Sequence, residues 1–316
     1  MSMTPTYQQL KSRLQIGLAI NGIIIIAEFI GGYLINSISL MSDAGHNLID
    51  QGSLFLALYA HILAARPATE DRTFGYHRAG IVSAFINGFA LLITAVILAA
   101  VALYRLTSPV LVPGGWMMGI ALASFLANLT VALLLQQGAE DDLNIKGAFW
   151  HMLADAWVSL GVVAGGIGIL VTGWTVFDPL ISLLIVFVIA KGAWPIFHES
   201  LHVLLESTPP TIKATKIVEA IEQIPGVKNV HDLHIWAVEP RLIMLTCHVL
   251  VDTGYEPTQD GLLHDIQSMI SSDFHIHHHT IQLETRCAEP NDVHCDLNRL
   301  TNGQLETKFS HSHSPH

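Results

Sequence analysis

The sequence predicts an α-helical membrane protein, six transmembrane helices followed by a C-terminal α+β domain. Three observations predict it. The 316 residues are 51% hydrophobic and 13% charged, against about 25% charged in an average soluble domain, and the mean hydropathy is +0.47. The missing charge is concentrated: no Asp, Glu, Lys or Arg falls between Gln51 and Ala65, Ala79 and Tyr104, Leu106 and Ala139, or Ala156 and Phe177. After about residue 205, charges, prolines and period-2 apolar runs return.

A bilayer-spanning helix needs roughly 20 mostly apolar residues. Six stretches qualify, at about 14–35, 39–65, 79–104, 115–137, 146–171 and 177–198, the first carrying only Glu28 as a charge. Lys11 and Arg13 precede the first stretch without a small-residue cleavage site, so it reads as a retained span. With that end inside, Arg66, Arg72, Arg78 and Lys146 fall in inward loops and Arg105 alone in an outward one. This basic bias places both termini in the cytoplasm. Thr208-Pro209-Pro210 is a linker. Ile212, Ile217, Val218, Ile221 and Ile224 repeat with helical spacing over 211–224, and Pro225-Gly226 stops them. Two strands at 227–238 and 241–251 flank a turn at Glu239-Pro240, and a helix at 257–272 leads to a strand at 279–285. The order αββαβ puts helices on one face of a sheet. The expected divisions are a cytoplasmic N-terminus (1–13), a transmembrane domain (14–205), a cytoplasmic α+β domain (206–286) and a flexible tail (287–316).

A formal net charge of −11 argues against nucleic-acid binding and suits a protein that attracts cations. Cys247, Cys287 and Cys295 are too few for a disulfide scaffold and fit a reducing cytoplasm. No zinc-protease, phosphate-loop or nucleophile-elbow motif is present, so no enzyme activity is expected. Gly165-Gly166-Ile167-Gly168 lies within an apolar span and reads as a close helix-packing surface.

One spacing recurs inside the apolar spans: His46-Asn47-Leu48-Ile49-Asp50 and His151-Met152-Leu153-Ala154-Asp155. Residues i and i+4 share a helix face, so each copy aims an imidazole and a carboxylate the same way. Ionisable groups at that depth are costly and mark function. Two facing pairs supply two nitrogens and two oxygens, a set suited to tetrahedral Zn²⁺; the competing reading is a hydrogen-bonded network that locks helices together. Metal binding would displace protons from the same groups, the chemical basis of a metal/proton exchanger. Asp43 is either a cation attractor at the outer mouth or a helix-N-terminal acid. Glu28 either lies on a proton or metal path or hydrogen-bonds a neighbouring helix. Asn47 is turned about 100° from His46 and is not read as a ligand.

Of 18 histidines, 14 fall at or after His198. His231 and His248 lie on adjacent predicted strands, where cross-strand neighbours can share an ion, with Glu284 on the third. His234, His264 and the run His275, His277, His278 and His279 add to a cytoplasmic metal-sensing reading, against plain solvated histidine. The tail holds Cys287, His294, Cys295 and a His-Ser-His ending, a composition for metal capture or for idle chain.

With these motifs, and with Ser42-Asp43-Ala44-Gly45 before His46, Arg72-Thr73-Phe74-Gly75-Tyr76, Val230-His231-Asp232-Leu233-His234-Ile235-Trp236 and Thr280-Ile281-Gln282-Leu283-Glu284 in order, the chain resembles the cation diffusion facilitators over about residues 12–286. It looks closest to their bacterial zinc, cobalt and cadmium efflux branch. The resemblance implies six transmembrane helices, a ferredoxin-like cytoplasmic domain and a homodimer in the inner (plasma) membrane. It implies efflux of divalent metal in exchange for protons by alternating access, as in metal resistance, with Zn²⁺ as substrate and regulatory ligand. The family's central site carries over onto His46, Asp50, His151 and Asp155, in its two-His, two-Asp version, associated with Zn²⁺ and often Cd²⁺ or Co²⁺. Its cytoplasmic ligands carry over onto His231, His248, His264 and Glu284; Gln282 stands where some members have histidine. In the loop between spans 2 and 3, Arg72 and Tyr76 take the places of ligating histidines, and no ion is expected there. The loop between spans 4 and 5 lacks the His-rich tract of many relatives. The alternative function is a membrane-bound metal sensor that binds zinc without transporting it, although no output domain follows residue 286.

Overall fold

The computed structural model describes residues 7–136, 143–239, 242–252 and 259–285. The chain divides into two compact units, Met1–Leu201 and His202–His316.

The first unit is built from six long helices: α1 (Tyr7–Leu34), α2 (Ile38–Ala64), α3 (Ala79–Thr107), α4 (Gly114–Gln136), α5 (Leu143–Thr172) and α6 (Phe177–Leu204, which continues past the second unit's first residue). Their large apolar side chains point outward. Phe55, Leu58, Val96, Trp116, Leu133, Trp157 and Phe187 are all exposed, a surface that water would not tolerate but lipid does. Four helices, α3, α4, α6 and the Phe149–Thr172 part of α5, are long and apolar enough to cross a membrane on composition alone. The described side chains of α1 give a shorter apolar stretch, Ala19–Leu34. Helix α2 has the length, at 27 residues, but Asp43, His46, Asn47, Asp50 and Gln51 dilute its hydropathy. The residues that make this helix interesting make it a poor span by composition.

Between helices the contacts are small residues. Gly166 lies against Gly114 and Met118, Gly165 against Ile181 and Met117, and Gly168 against the Phe177 ring. The glycine run is thus a packing surface for α4 and α6, as its sequence suggested. A Cβ on Gly166 would come 2.9 Å from the Met118 backbone nitrogen. Gly166→Ala is therefore expected to lower stability by about 1–3 kcal/mol, read as the unfolding midpoint of the detergent-purified protein. Gly88 of α3 meets the Phe197 backbone of α6 in the same way, and Phe85, Phe89 and Phe197 stack around it.

Helix α2 begins at Ser37, which caps it in extended conformation after Asn36 turns the chain with a φ of 57°. The buried start of α2 is held from across the bundle by Asp178, the first-turn acid of α6. Asp178 Oδ1 accepts from Ser37 Oγ (2.6 Å), Ser39 Oγ (2.6 Å) and Ser39 N (3.1 Å). Asp178 Oδ2 accepts from Ile38 N at 2.8 Å.

The second unit has the order α7 (Ala214–Glu222), β1 (Val227–Glu239), β2 (Leu242–Val251), α8 (Gln259–Asp273) and β3 (His278–Glu284). The sheet runs β1-β2-β3, with β1 antiparallel and β3 parallel to β2. Ile217, Ile221, Leu262, Ile266 and Ile270 of the two helices pack with Val230, Leu233, Ile235, Leu245, Cys247 and Val249 of the sheet. One sheet face is therefore the core. Strict alternation then sends His248, Gln282 and Glu284 to the other face. In β1 the apolar spacing is irregular, because Val230 and Leu233 both face the core although three residues apart. A register shift between His231 and His234, with Asp232 at a φ of 52°, accommodates this. It is a β-bulge, and its effect is to keep His231 and His234 on the face away from the core.

Candidate metal sites

The central site is assembled where α2 meets α5. His46 and Asp50 lie one helical turn apart on α2, His151 and Asp155 one turn apart on α5. His46 Nε2 is 3.4 Å from Asp50 Oδ2, His151 Nε2 is 3.8 Å from the same oxygen, and His151 Nε2 is 3.6 Å from Asp155 Oδ2. Ligands about 2.0–2.1 Å from a tetrahedral ion stand roughly 3.3 Å from one another. The three gaps are close to such edges. Asp50 is the hinge of the set, because its carboxylate touches both imidazoles. Asp155 is 2% exposed and His151 is 37% exposed, so the group runs from a sealed interior to an accessible rim. The structure thus links the four residues of the repeated motif in a chain of contacts, although no three of them have ligand atoms all within 4.8 Å of one another.

Of the two readings of Asp43, its position in this structure does not favour the one at an open mouth. It is fully buried because its face of α2 turns toward α5, where Ser159 Oγ donates to it at 3.1 Å; Asn47 Nδ2 donates to it at 3.3 Å. Glu28 is also fully buried, with Asp43 and Ser124 as its polar neighbours. Asp178 was missed by the sequence reading, since an acid at the start of a span looks like an edge charge. Nothing local in the sequence points to the α2 N-terminus as its partner.

On the second unit, the sheet face away from the helices gathers His231, His248 and Glu284. Their ligand atoms lie within 4.8 Å of one another, the one such group of three among the described residues. His231 Nε2 is 3.2 Å from Glu284 Oε2, and His248 Nδ1 is 3.2 Å from Glu284 Oε1. His231 and His248 are direct cross-strand partners, as adjacent strands required. His264 is not brought to them. It lies on the exposed side of α8, because Leu262 and Ile266 turn that helix's opposite side into the core. One neighbour, Asp232, escaped the sequence reading as a site residue. Asp232 Oδ1 is 3.0 Å from His234 Nε2, and Asp232 Oδ2 is 3.7 Å from His248 Nε2. Their approach depends on the bulge, which residue spacing alone does not announce. Burial and the nearby Asp232 charge push the Cys247 thiol up to about 12, so this core cysteine stays a thiol. Burial, with His278 and His277 close by, holds the His279 imidazole below its usual range.

Glu284→Ala is expected to weaken zinc binding at this face by about 10–100-fold or more. Zinc titration of the full-length protein carrying Asp50→Ala, which breaks the contact chain between α2 and α5, isolates the change.

In the loop between α2 and α3, the Arg72 guanidinium lies over the Tyr76 ring at 4.8 Å. The 137–142 loop and the tail residues Cys287, His294 and Cys295 lie outside the described residues.

Comparison with known proteins matches this geometry to a family. The cation efflux transmembrane domain matches residues 14–205, and the cytoplasmic domain of cation efflux proteins, a dimerisation module, matches residues 209–286. The metal cation efflux system protein CzcD of Cupriavidus metallidurans is 38% identical over 280 residues, 89% of this chain and 88% of the relative. The zinc transporter ZitB of Escherichia coli is 36% identical over 295 residues, 92% and 90% of the two chains. A cadmium, cobalt and zinc/H⁺-K⁺ antiporter of Bacillus subtilis is 37% identical over 264 residues, 83% and 85%. With family models covering most of its length and relatives aligned along nearly all of it, the chain belongs to the cation diffusion facilitators, membrane-embedded metal-efflux transporters rather than enzymes.

Proposed function

We propose that this protein exports Zn²⁺, and with it Cd²⁺ or Co²⁺, from the cytoplasm in exchange for protons, as a homodimer in the inner membrane with both termini cytoplasmic. The observation that carries the reading is the continuous contact chain His46–Asp50–His151–Asp155 across α2 and α5. Such a set accepts a borderline divalent ion. Its histidines must be neutral and its aspartates ionised to do so. Protons arriving from the far side compete for the same atoms, and the imidazoles of His46 and His151 carry them. Alternate exposure of the set to the two sides then converts a proton gradient into metal movement. The zinc, cadmium and cobalt named in its relatives, and the H⁺ named in one of them, support this choice of ions. Zinc on His231, His248 and Glu284 draws the protomers' cytoplasmic domains together and favours transport.

The test is zinc movement into proteoliposomes with an acidic interior, with a lumenal dye reporting proton exit. Zinc entry that accelerates with the gradient and alkalinises the lumen is expected. A folded, zinc-binding wild type that moves no zinc would sink the reading and leave a membrane-bound metal sensor.

A further inference from the structure

The four-residue site does not use one fully buried charge-bearing group of the membrane unit. Glu28 of α1 is 0% exposed, and neither carboxylate oxygen takes a hydrogen bond of normal geometry. Facing it are Asp43 of α2 and Ser124 of α4, with Asp155 of α5 near enough to act through its charge. Asp43 is equally buried but differently served, since it accepts from Asn47 and Ser159. No Lys or Arg is among the buried residues described. Two more polar side chains line the same lane. Asn21 lies two turns before Glu28 on α1, and Asn128 one turn after Ser124 on α4; Asn21 Oδ1 and both amide atoms of Asn128 are buried without hydrogen-bond partners.

We propose that Glu28 and Asp43 form a carboxyl–carboxylate pair that holds one proton, and that zinc in the His46–Asp50–His151–Asp155 site expels it. The proposal rests on that site being the metal site. Two adjacent carboxylates without a cation cannot both stay ionised in a bilayer interior. One proton between them removes a charge and supplies a strong O–H···O⁻ bond. The division of roles follows from the donors. Asp43 has two, which favour its anion. Glu28 has only the Ser124 hydroxyl facing it, short of a hydrogen bond of normal geometry, and carries the proton, donating it to Asp43. When zinc binds beside Asp155, a double positive charge enters the field at Glu28. The Glu28 O–H bond breaks, the proton leaves to water, and the carboxylate remains; no electron is transferred. The pair thereby adds a proton to the exchange without adding a metal ligand. This separates the counter-ion's seat from the metal's.

The experiment is zinc titration of the full-length protein in detergent at low buffer strength, counting protons released per zinc with a pH indicator. Infrared difference spectra record protonated carboxyl groups alongside. The wild type should lose a carboxylic-acid band on zinc addition. Glu28→Gln should still bind zinc, lack that band, and release about one fewer proton per zinc. Unchanged stoichiometry in Glu28→Gln would overturn the proposal. So would a wild type whose carboxylic-acid bands do not respond to zinc, a measurement that needs no variant to fold. Undiminished zinc binding by Asp50→Ala would instead overturn the reading of the central site, so the two failures are distinguishable.

Discussion

Asp50→Ala is expected to reduce zinc flux through proteoliposomes by at least ~100-fold while leaving the protein folded. The magnitude starts from the 10–100-fold cost of losing groups that merely support metal ligands; removing a ligand costs more. Asp50 is the residue to choose, because its Oδ2 reaches both His46 and His151. Without it the two helices present separate fragments of a site. The fold should survive, since this carboxylate's recorded contacts are to those two imidazoles and its side chain is partly accessible. Asp50→Asn discriminates further. It keeps the volume and an oxygen but loses the charge that balances the cation, and it should also fail. Near-wild-type flux in Asp50→Ala, at equal protein incorporation, would remove the central site from the mechanism.

The largest expected effect on stability lies away from the metal. Asp178→Ala withdraws the acceptor for two backbone N–H groups and two hydroxyls at the buried start of α2. Buried donors left without a partner cost about 1–3 kcal/mol each, and the donors that Asp178 serves all lose their acceptor at once. The unfolding midpoint should fall accordingly. Asp178→Asn should cost less, because one oxygen can keep the three bonds now made by Oδ1. An unchanged midpoint in Asp178→Ala would show that water or a rotated serine replaces the carboxylate.

Why were some of these residues legible beforehand and others not? The helices were, because charge-free stretches of about twenty residues have few other uses. Their ends moved by a few residues where polar side chains continue a helix into the interface, as with the extension of α6 to Leu204. The pairing of His46 with Asp50 and of His151 with Asp155 was legible because i,i+4 spacing is a property of one helix, and the motif occurs twice. His231 and His248 were legible through strand adjacency. The approach of Asp232 to His234 and His248 was not, because it rests on a bulge and a left-handed backbone. That geometry arises from the demand of Val230 and Leu233 for the same core face. Asp178 was hidden for a related reason. Its partners lie about 140 positions away, and no periodicity spans such a distance.

The polarity of α2 has a consequence for how the protein is made. A segment carrying Asp43, His46, Asn47 and Asp50 partitions poorly from the translocation channel into lipid when it emerges alone. Its strongly apolar neighbour α3 follows within a short loop, and the acceptor for its N-terminal N–H groups, Asp178, is synthesised about 140 residues later. Integration of α2 is therefore a cooperative event during synthesis, in which later helices rescue an earlier one. Truncated nascent chains ending before α6 should show α2 still exchangeable with the channel.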